Sequence, residues 1–302
     1  MKTVGKMRLA VNGQQLAATH ALPELLAYLS SFGVDAVELW TANLSGGTNA
    51  EENERFETKD VDSAGRLLKE AGFCVSAVTL GYWAAPLCFS RGGRAAFTTA
   101  LQGAVDAALA LDTTIVNCYS AGISMPLFIQ AVQPAAEYAA RHGVVITLEN
   151  EAHDDSGLAH HVAAMVEEVD SPGFGTLFDP CNYYHAWQEP FPFAYGVVRK
   201  HVRYVHLKGG CIYTDAPSNS GNESDRLHKG SLMRDSRHQH IGYVPLPQAA
   251  FPVEGILRQL QADGYRGFVT LEPHVPTTSL ASFYAAEIPF LQALLQTGNA
   301  SA

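Results

Sequence analysis

The chain has 302 residues, 47% of them hydrophobic and 17% charged, with 30 acidic side chains against 20 basic ones and a formal net charge of −10. A disordered chain would be poorer in apolar residues and richer in charge, and 26 glycines and 15 prolines without a period exclude a collagen-like one. The acidic excess argues against a nucleic-acid partner, which normally meets a basic face, while the length allows one domain or two.

In chain order, short apolar runs rich in β-branched residues read as strands: Met7–Val11, Ala36–Leu39, Cys74–Leu80, Thr114–Asn117, Val144–Leu148, Phe174–Phe178, Val202–Leu207 and Phe268–Leu271. Several are apolar almost throughout, as strands covered on both faces are. Between them, apolar residues three and four apart predict helices over Leu22–Leu29, Ala95–Leu111, Leu158–Val169, Val253–Ala262 and Ser282–Leu295. Pro23 suits a helix start, and Asp106 is the one charge of the Ala-rich second segment. Phe32-Gly33, Ala71-Gly72, His142-Gly143 and Asp263-Gly264-Tyr265 supply helix stops.

All but one of the intervals between strand starts run from 28 to 40 residues, the length of one βα unit. Eight such units predict a (β/α)8 TIM barrel, which takes about 250 residues, as a single domain over residues 1–302. The last interval is too long for one unit, and its surplus falls in a polar stretch at about 209–244. A structureless loop of that length is usually functional, and after the seventh strand it belongs to the face where barrel active sites lie. A doubly wound open sheet is the alternative, but the first strand runs into Asn12-Gly13-Gln14-Gln15, with neither a P-loop nor a dinucleotide fingerprint.

Cys74, Cys88, Cys118, Cys181 and Cys211 form no CxxC pair and are odd in number, which points to reduced thiols and a cytoplasmic protein. The N-terminus lacks the apolar run of a signal peptide, and no stretch reaches the roughly 18 apolar residues of a membrane span. The triplets Asn43-Leu44-Ser45 and Asn222-Glu223-Ser224 match a glycosylation pattern but carry little weight without an export signal.

Four successive strands end on chemistry-bearing residues: Glu149 after Thr147-Leu148, Asp179 after Leu177-Phe178, His206 within Val205-His206-Leu207, and Glu272 after Thr270-Leu271. One acidic residue after a strand is as readily a helix cap or turn former, and a lone strand histidine is usually a satisfied core residue. In succession on one rim, three carboxylates would repel and raise one another's pKa. A divalent cation resolves that repulsion, and three carboxylates with one imidazole suit Mn²⁺, Mg²⁺, Co²⁺ or Zn²⁺. Four ligands on an octahedral ion leave two positions for adjacent substrate oxygens.

Other rim candidates are Asn12, Glu38 and Asn117, with Glu38 placed to accept from His206 or a lysine; capping or salt bridging explains it equally well. Trp40, Tyr82, Trp83 and Tyr119 follow strands and offer sugar-packing faces, which ordinary burial also explains. His153, four residues after Glu149, is a candidate extra base, set against a solvated loop histidine beside Asp154 and Asp155. His240, before a glycine turn at the end of the long stretch, is a candidate substrate contact on the same terms.

The segments Leu148-Glu149-Asn150, FDPCN at 178–182, VHLKG at 205–209 and GYRGFVTLEPH at 264–274 resemble the xylose-isomerase-like sugar isomerases and epimerases. That group contains ketose 3-epimerases, hydroxypyruvate isomerase, inosose dehydratase and inosose isomerase. The resemblance covers the chain from Val37-Glu38-Leu39 to the last helix and implies one divalent ion, Mn²⁺ first, held by Glu149, Asp179, His206 and Glu272. It also implies Glu149 and Glu272 as an acid/base pair on opposite sides of the reacting carbon. Two positions depart from the 3-epimerase pattern. Asn182 stands where a histidine usually holds a substrate oxygen, and no acid or arginine follows His206 at the usual spacing, so a cationic role falls to Lys208 or to Arg226, Arg234 or Arg237.

The expected activity is a sugar or cyclitol isomerase/epimerase, with a carboxylate drawing the α-proton of a keto-sugar to give an enediolate. The same ligand set serves a lyase or dehydratase on a keto-sugar, keto-inositol or oxidised glycoside, for which His153 would suit as base. A non-catalytic barrel and an apurinic-site endonuclease are further alternatives; the latter wants more histidines and a basic DNA track. The expected partner is a small-molecule sugar or cyclitol, with no nucleic acid and no membrane, and a homo-oligomer is left open.

Overall fold

In the computed structural model, residues 6–44, 56, 58–213 and 240–297 are described. The strands are β1 (Arg8–Asn12), β2 (Ala36–Trp40), β3 (Cys74–Thr79), β4 (Ile115–Cys118), β5 (Val145–Glu149), β6 (Phe174–Phe178), β7 (Val202–Leu207), β8 (Gly210–Tyr213), β9 (His240–Tyr243) and β10 (Phe268–Leu271). β1 to β7 and β10 close a barrel in the order β1-β10-β7-β6-β5-β4-β3-β2, and every pairing in it is parallel. These are the eight strands read from the sequence, each within one or two residues of the expected bounds.

The main helices around them are α1 (Leu22–Ser30), α2 (Thr58–Ala71), α3 (Arg94–Ala110), α4 (Met125–Arg141), α5 (Ala159–Val169), α6 (Pro180–His185), α7 (Tyr195–Val198), α8 (Val253–Ala262) and α9 (Thr277–Thr297). The protein is a (β/α)8 TIM barrel. Its larger core lies between strands and helices: Phe97 of α3 meets Phe128 of α4, which meets Phe174 of β6, with ring centroids 6.2 and 6.3 Å apart. α3 and α4 pack on each other, with Thr98 Oγ1 donating to the Ala131 carbonyl at 2.7 Å, and both bury alanines in the same cluster, among them Ala100, Ala104, Ala131 and Ala135. A second, small cluster of Ala77, Leu177 and Tyr204, closed off by Ile115 and Phe268, fills the barrel interior.

The expected helix stops are left-handed turns, with φ of 73° at Gly33, 72° at Gly72, 71° at Gly143 and 86° at Gly264. Four of these helices went unread in the sequence: the short α6 and α7, and the long α2 and α4. α2 buries only Val61, Ala64 and Leu68 beneath a polar face, and α4 carries Pro134 in its interior, a residue that normally ends a helix.

The stretch after β7 is not structureless throughout. Its ends form an antiparallel ribbon, β8 on β9, with Gly210 opposite Tyr243 and Tyr213 opposite His240. The β-branched and aromatic residues at 212, 213, 241 and 243 favour it, and two glycines let it seat. A Cβ at Gly209 would stand 2.2 Å from the Val244 carbonyl oxygen, and one at Gly210 would stand 2.6 Å from Cys181 Sγ. Residues 214–239 of the stretch, with Arg226, Arg234 and Arg237, lie outside the described residues, as does Asn222-Glu223-Ser224.

Candidate metal centre

A parallel barrel brings all its strand C-termini to one rim. Glu149 is the last residue of β5, Asp179 and Glu272 follow β6 and β10 directly, and His206 is one residue from the end of β7. Their ligand atoms, one from each residue, lie within 4.8 Å of one another. None of the four side chains is more than 2% exposed.

Each is aimed by its neighbours. Asp179 caps α6: its Oδ1 accepts from the Asn182 amide at 3.0 Å, leaving Oδ2 for the cluster. The capping reading of this residue therefore uses one oxygen and leaves the other available for an ion. Asn150 staples β5 to the end of β6, donating from Nδ2 to the Asp179 carbonyl and accepting the Asp179 N–H, both at 2.9 Å. Glu149 is held at both oxygens, by Asn117 Nδ2 at 2.9 Å and Asn182 Nδ2 at 3.4 Å. Asn12 Nδ2 bridges Glu272 Oε1 and Glu38 Oε1, at 2.9 and 3.2 Å.

Glu38, in β2 and fully buried, sits beneath His206. Its Oε1 also accepts from Thr79 Oγ1 at 2.6 Å, and its Oε2 from Tyr204 OH at 3.0 Å and His206 Nε2 at 2.6 Å. With its acceptor sites so filled, Glu38 requires a proton on His206 Nε2, which turns Nδ1 toward the three carboxylates. Nδ1 lies 3.3 Å from both Glu149 Oε1 and Glu272 Oε2 and makes no hydrogen bond. Tyr204 is itself fixed by Ser76 and Thr270.

Lys208, directly after β7, is 1% exposed. Its Nζ lies 2.7 Å from Glu272 Oε2, and 2.6 Å from Asp179 Oδ2 at ion-pair distance without hydrogen-bond geometry. In the polypeptide alone, burial opposes the charge on Lys208, but Asp179, Glu272 and Glu149 hold its pKa well above the usual lysine value. Burial also opposes ionisation of Glu272, and Lys208, His206 and His274 outweigh it, leaving that carboxyl well below its ordinary range. Asp179 goes the other way, pushed up by burial and by Glu149 and Glu272 despite Lys208.

These residues fit a divalent ion. Glu38, Glu149, Asp179 and Glu272 form a buried group of four carboxylates for which Lys208 is one fixed positive charge. In the polypeptide alone, burial opposes charge on His206, but Glu38, Glu149 and Glu272 hold its pKa well above the ordinary imidazole range, so it shares the countercharge with Lys208. A +2 ion would replace that proton, and His206 Nδ1, which makes no hydrogen bond 3.3 Å from two carboxylates, is the nitrogen placed to receive it. The four residues could therefore hold a metal. Because Glu38 sets the usable nitrogen of His206, Glu38→Gln is expected to weaken divalent-ion binding roughly 10–100-fold in a calorimetric titration. Unchanged affinity would mean that the ring is oriented by something else.

The other expected residues are spread around this centre. Asn182 is 5% exposed and spends its amide on Glu149 and, at 2.8 Å, on the Asn150 carbonyl, so it serves the cluster. The Trp40 ring packs 5.8 Å from Tyr119, Tyr119 packs 5.7 Å from Tyr82, and Tyr82 packs 5.6 Å from His153. That series leads from buried Trp40, whose Nε1 has no partner, to His153, which is 41% exposed and 3.6 Å from Glu151 Oε2. Trp83 and His240 are described in their backbones only. Tyr204 was not singled out in the sequence, although it stands two residues before His206 in one strand and so faces the same side. Glu151 and Tyr243 were also missed. Burial first, then nearby Glu149, pushes Glu151 up, and Tyr243, pushed up by burial, packs between His185 and His274 at 5.2 and 5.3 Å.

The model of the xylose isomerase-like TIM barrel family matches residues 26–294. The chain belongs to that family. No curated protein matches its sequence. Among solved structures of the same fold is a xylose isomerase-like TIM barrel protein from Mycobacterium smegmatis in complex with magnesium, at TM-score 0.71 and 16% identity over 98% of each chain. D-psicose 3-epimerase from Clostridium cellulolyticum H10, solved with D-tagatose, aligns at TM-score 0.66 and 14% identity, over 96% of this chain and 99% of that one. The probable 3-DHS dehydratase AsbF of Bacillus anthracis, involved in petrobactin synthesis, aligns at TM-score 0.68 and 14% identity, over 95% and 99%. Solved structures of this fold thus include an epimerase and a probable dehydratase.

Proposed function

We propose that the protein is a divalent-metal-dependent isomerase or epimerase acting on a keto-sugar or keto-cyclitol. The observation that carries this reading is the convergence of three buried carboxylates and one imidazole nitrogen that makes no hydrogen bond at the barrel mouth. Glu149, Asp179, His206 and Glu272 would hold the ion, with Mn²⁺ expected first. When bound, the ion supplies Lewis-acid polarisation of a carbonyl and its neighbouring hydroxyl.

The rest falls to the chain's own groups. Glu149, aimed by Asn117 and Asn182, takes the proton from the carbon next to the carbonyl. In isomerisation Glu149 passes the proton it has taken to the neighbouring carbon. In epimerisation Glu272, held by Asn12 and Lys208 on the other side, gives the opposite face of the same carbon a proton it has first taken from solvent, and Glu149 releases its own to solvent. Two carboxylate neighbours leave Lys208 an N–H for a substrate oxygen. Trp40, Tyr119 and Tyr82 offer ring faces to the C–H side of a sugar. Cytoplasmic location remains part of the proposal, resting on the free cysteines; among the described residues no helix is long and apolar enough to cross a membrane.

A lyase is the second reading, favoured by His153. It stands half exposed over Tyr82 and beside Glu151, where it could protonate a departing group on the carbon beyond the enediolate. Metal analysis followed by solvent deuterium exchange separates the readings. Either activity gives deuterium at the α-carbon of a keto-sugar, and chelator abolishes it. An isomerase or epimerase preserves substrate mass, whereas a lyase yields a smaller or unsaturated product. A metal-free purified protein with no exchange on any keto-sugar would overturn both.

A further inference from the structure

The end of the barrel away from the metal centre has its own polar cavity, of about 370 Å³, lined by Tyr195, Arg199, Lys200, Val202, Arg203, Leu260, Asp263, Tyr265 and Arg266 with two glycines between them. It opens between the starts of two adjacent strands, β7 at Val202 and β10 at Phe268. A six-residue strand spans roughly 20 Å, so this cavity is separate from the cluster at the strand C-termini. We propose that it is a binding site for a phosphomonoester, a small organic ligand carrying one phosphate group.

Three observations carry this. Four cationic side chains line the cavity against one carboxylate, in a chain whose net charge is −10. The carboxylate, Asp263, is already engaged, accepting from Tyr195 OH at 2.9 Å and Gln259 Nε2 at 3.0 Å. Lys200 pairs with Glu167 at 2.7 Å, but no ion-pair partner stands beside Arg199, Arg203 or Arg266 among the described residues.

Two of the guanidinium groups are also fixed in advance. Arg203 donates from Nη1 to the Lys200 and Val202 carbonyls, both at 3.0 Å. Arg266 donates from Nη1 to the Gln261 and Tyr265 carbonyls, at 3.0 and 2.7 Å. Each is pinned by one nitrogen, which leaves Nε and Nη2 as a planar fork suited to two oxygens of a phosphate. Pinning lowers the side-chain entropy lost on binding. The local sequence makes room for this: a Cβ at Gly175 would stand 2.6 Å from Arg203 Cγ, so glycine there lets the arginine stem lie across β6. Buried Val202, Leu260 and Tyr195 close the floor of the cavity, and the partly exposed Tyr265 ring offers a face to the organic part, which inorganic phosphate alone would leave unfilled.

The test is calorimetric titration of the metal-loaded protein with phenyl phosphate, with phenol and sodium chloride at matched ionic strength as controls. Wild-type protein should bind phenyl phosphate saturably and more tightly than inorganic phosphate. Arg203→Gln/Arg266→Gln should weaken binding at least tenfold, and Arg203→Lys/Arg266→Lys, which keeps the charge but loses the fork, should weaken it by an intermediate factor while preserving the fold. Glu149→Gln, which alters the metal centre, should bind phenyl phosphate as wild type does, so failure of the activity reading and failure of this one are distinguishable. The proposal is overturned if phenyl phosphate shows no saturable binding beyond the controls, if inorganic phosphate binds as tightly, or if the paired lysine variant titrates like wild type.

Discussion

Glu149→Gln is expected to lower keto-sugar turnover and α-carbon deuterium exchange by at least about 10³-fold, with the fold unchanged. Removing a positioned general base alone costs roughly 10²–10⁴ in rate, and Glu149 is also placed as a metal ligand. Glutamine is nearly isosteric, so Asn117 can still donate to its side-chain oxygen in place of Glu149 Oε2. The fold has reason to survive. Glu149 stands in a crowded anionic group with Asp179 and Glu272, and losing one negative charge there relieves repulsion. Unfolding of the metal-free variant should therefore fall at or above the wild-type temperature. A variant that still exchanges deuterium at the wild-type rate would remove Glu149 from the role of base.

Much of this arrangement is legible in the sequence, for a definite reason. A parallel barrel strand is buried on both faces, so its end is marked by the first polar residue after an apolar run. Glu149, Asp179 and Glu272 all appear that way, and parallel pairing of every strand brings such ends to one rim. Glu38 is legible for the opposite reason, as a charge within Val37-Glu38-Leu39, and the structure supplies the buried partner, His206, that the sequence offered beside a capping role. The supporting contacts are less visible, because they depend on register between strands distant in the chain. Nothing local pairs Tyr204 with Glu38, 166 positions apart, or Asn12 with Glu272, 260 apart. Lys208 is legible only in part. Next to Gly209-Gly210 it reads as a loop cation reaching for substrate, yet the close approach of those glycines to the Val244 carbonyl and to Cys181 draws the chain inward and buries it between Asp179 and Glu272.

That burial leads to the second large effect. Lys208→Met is expected to destabilise chelator-treated protein by roughly 3–5 kcal/mol, the cost of breaking a buried ion pair and leaving its partners charged. For a chain of this size that is a fall in melting temperature on the order of 10 °C. Methionine has similar length and no charge, so packing changes little and the loss reports on electrostatics. Two conditions should narrow it. A divalent ion supplies the missing positive charge, so saturating Mn²⁺ or Mg²⁺ should raise the melting temperature of the variant more than that of wild type. Acid should act likewise. In wild type, Glu272 is held well below its ordinary range, so its contribution is full above the unfolded-state value of about 4.3 and is lost as pH falls through the lower folded-state value. Without Lys208 that depression shrinks and the carboxylates take up protons at higher pH, which removes the unpaired charge. The deficit should therefore be largest near neutral pH without metal, and smallest near pH 4 or with metal present. A deficit that is the same in all these conditions would assign Lys208 to packing, and the charge balance argued for the centre would have to come from elsewhere.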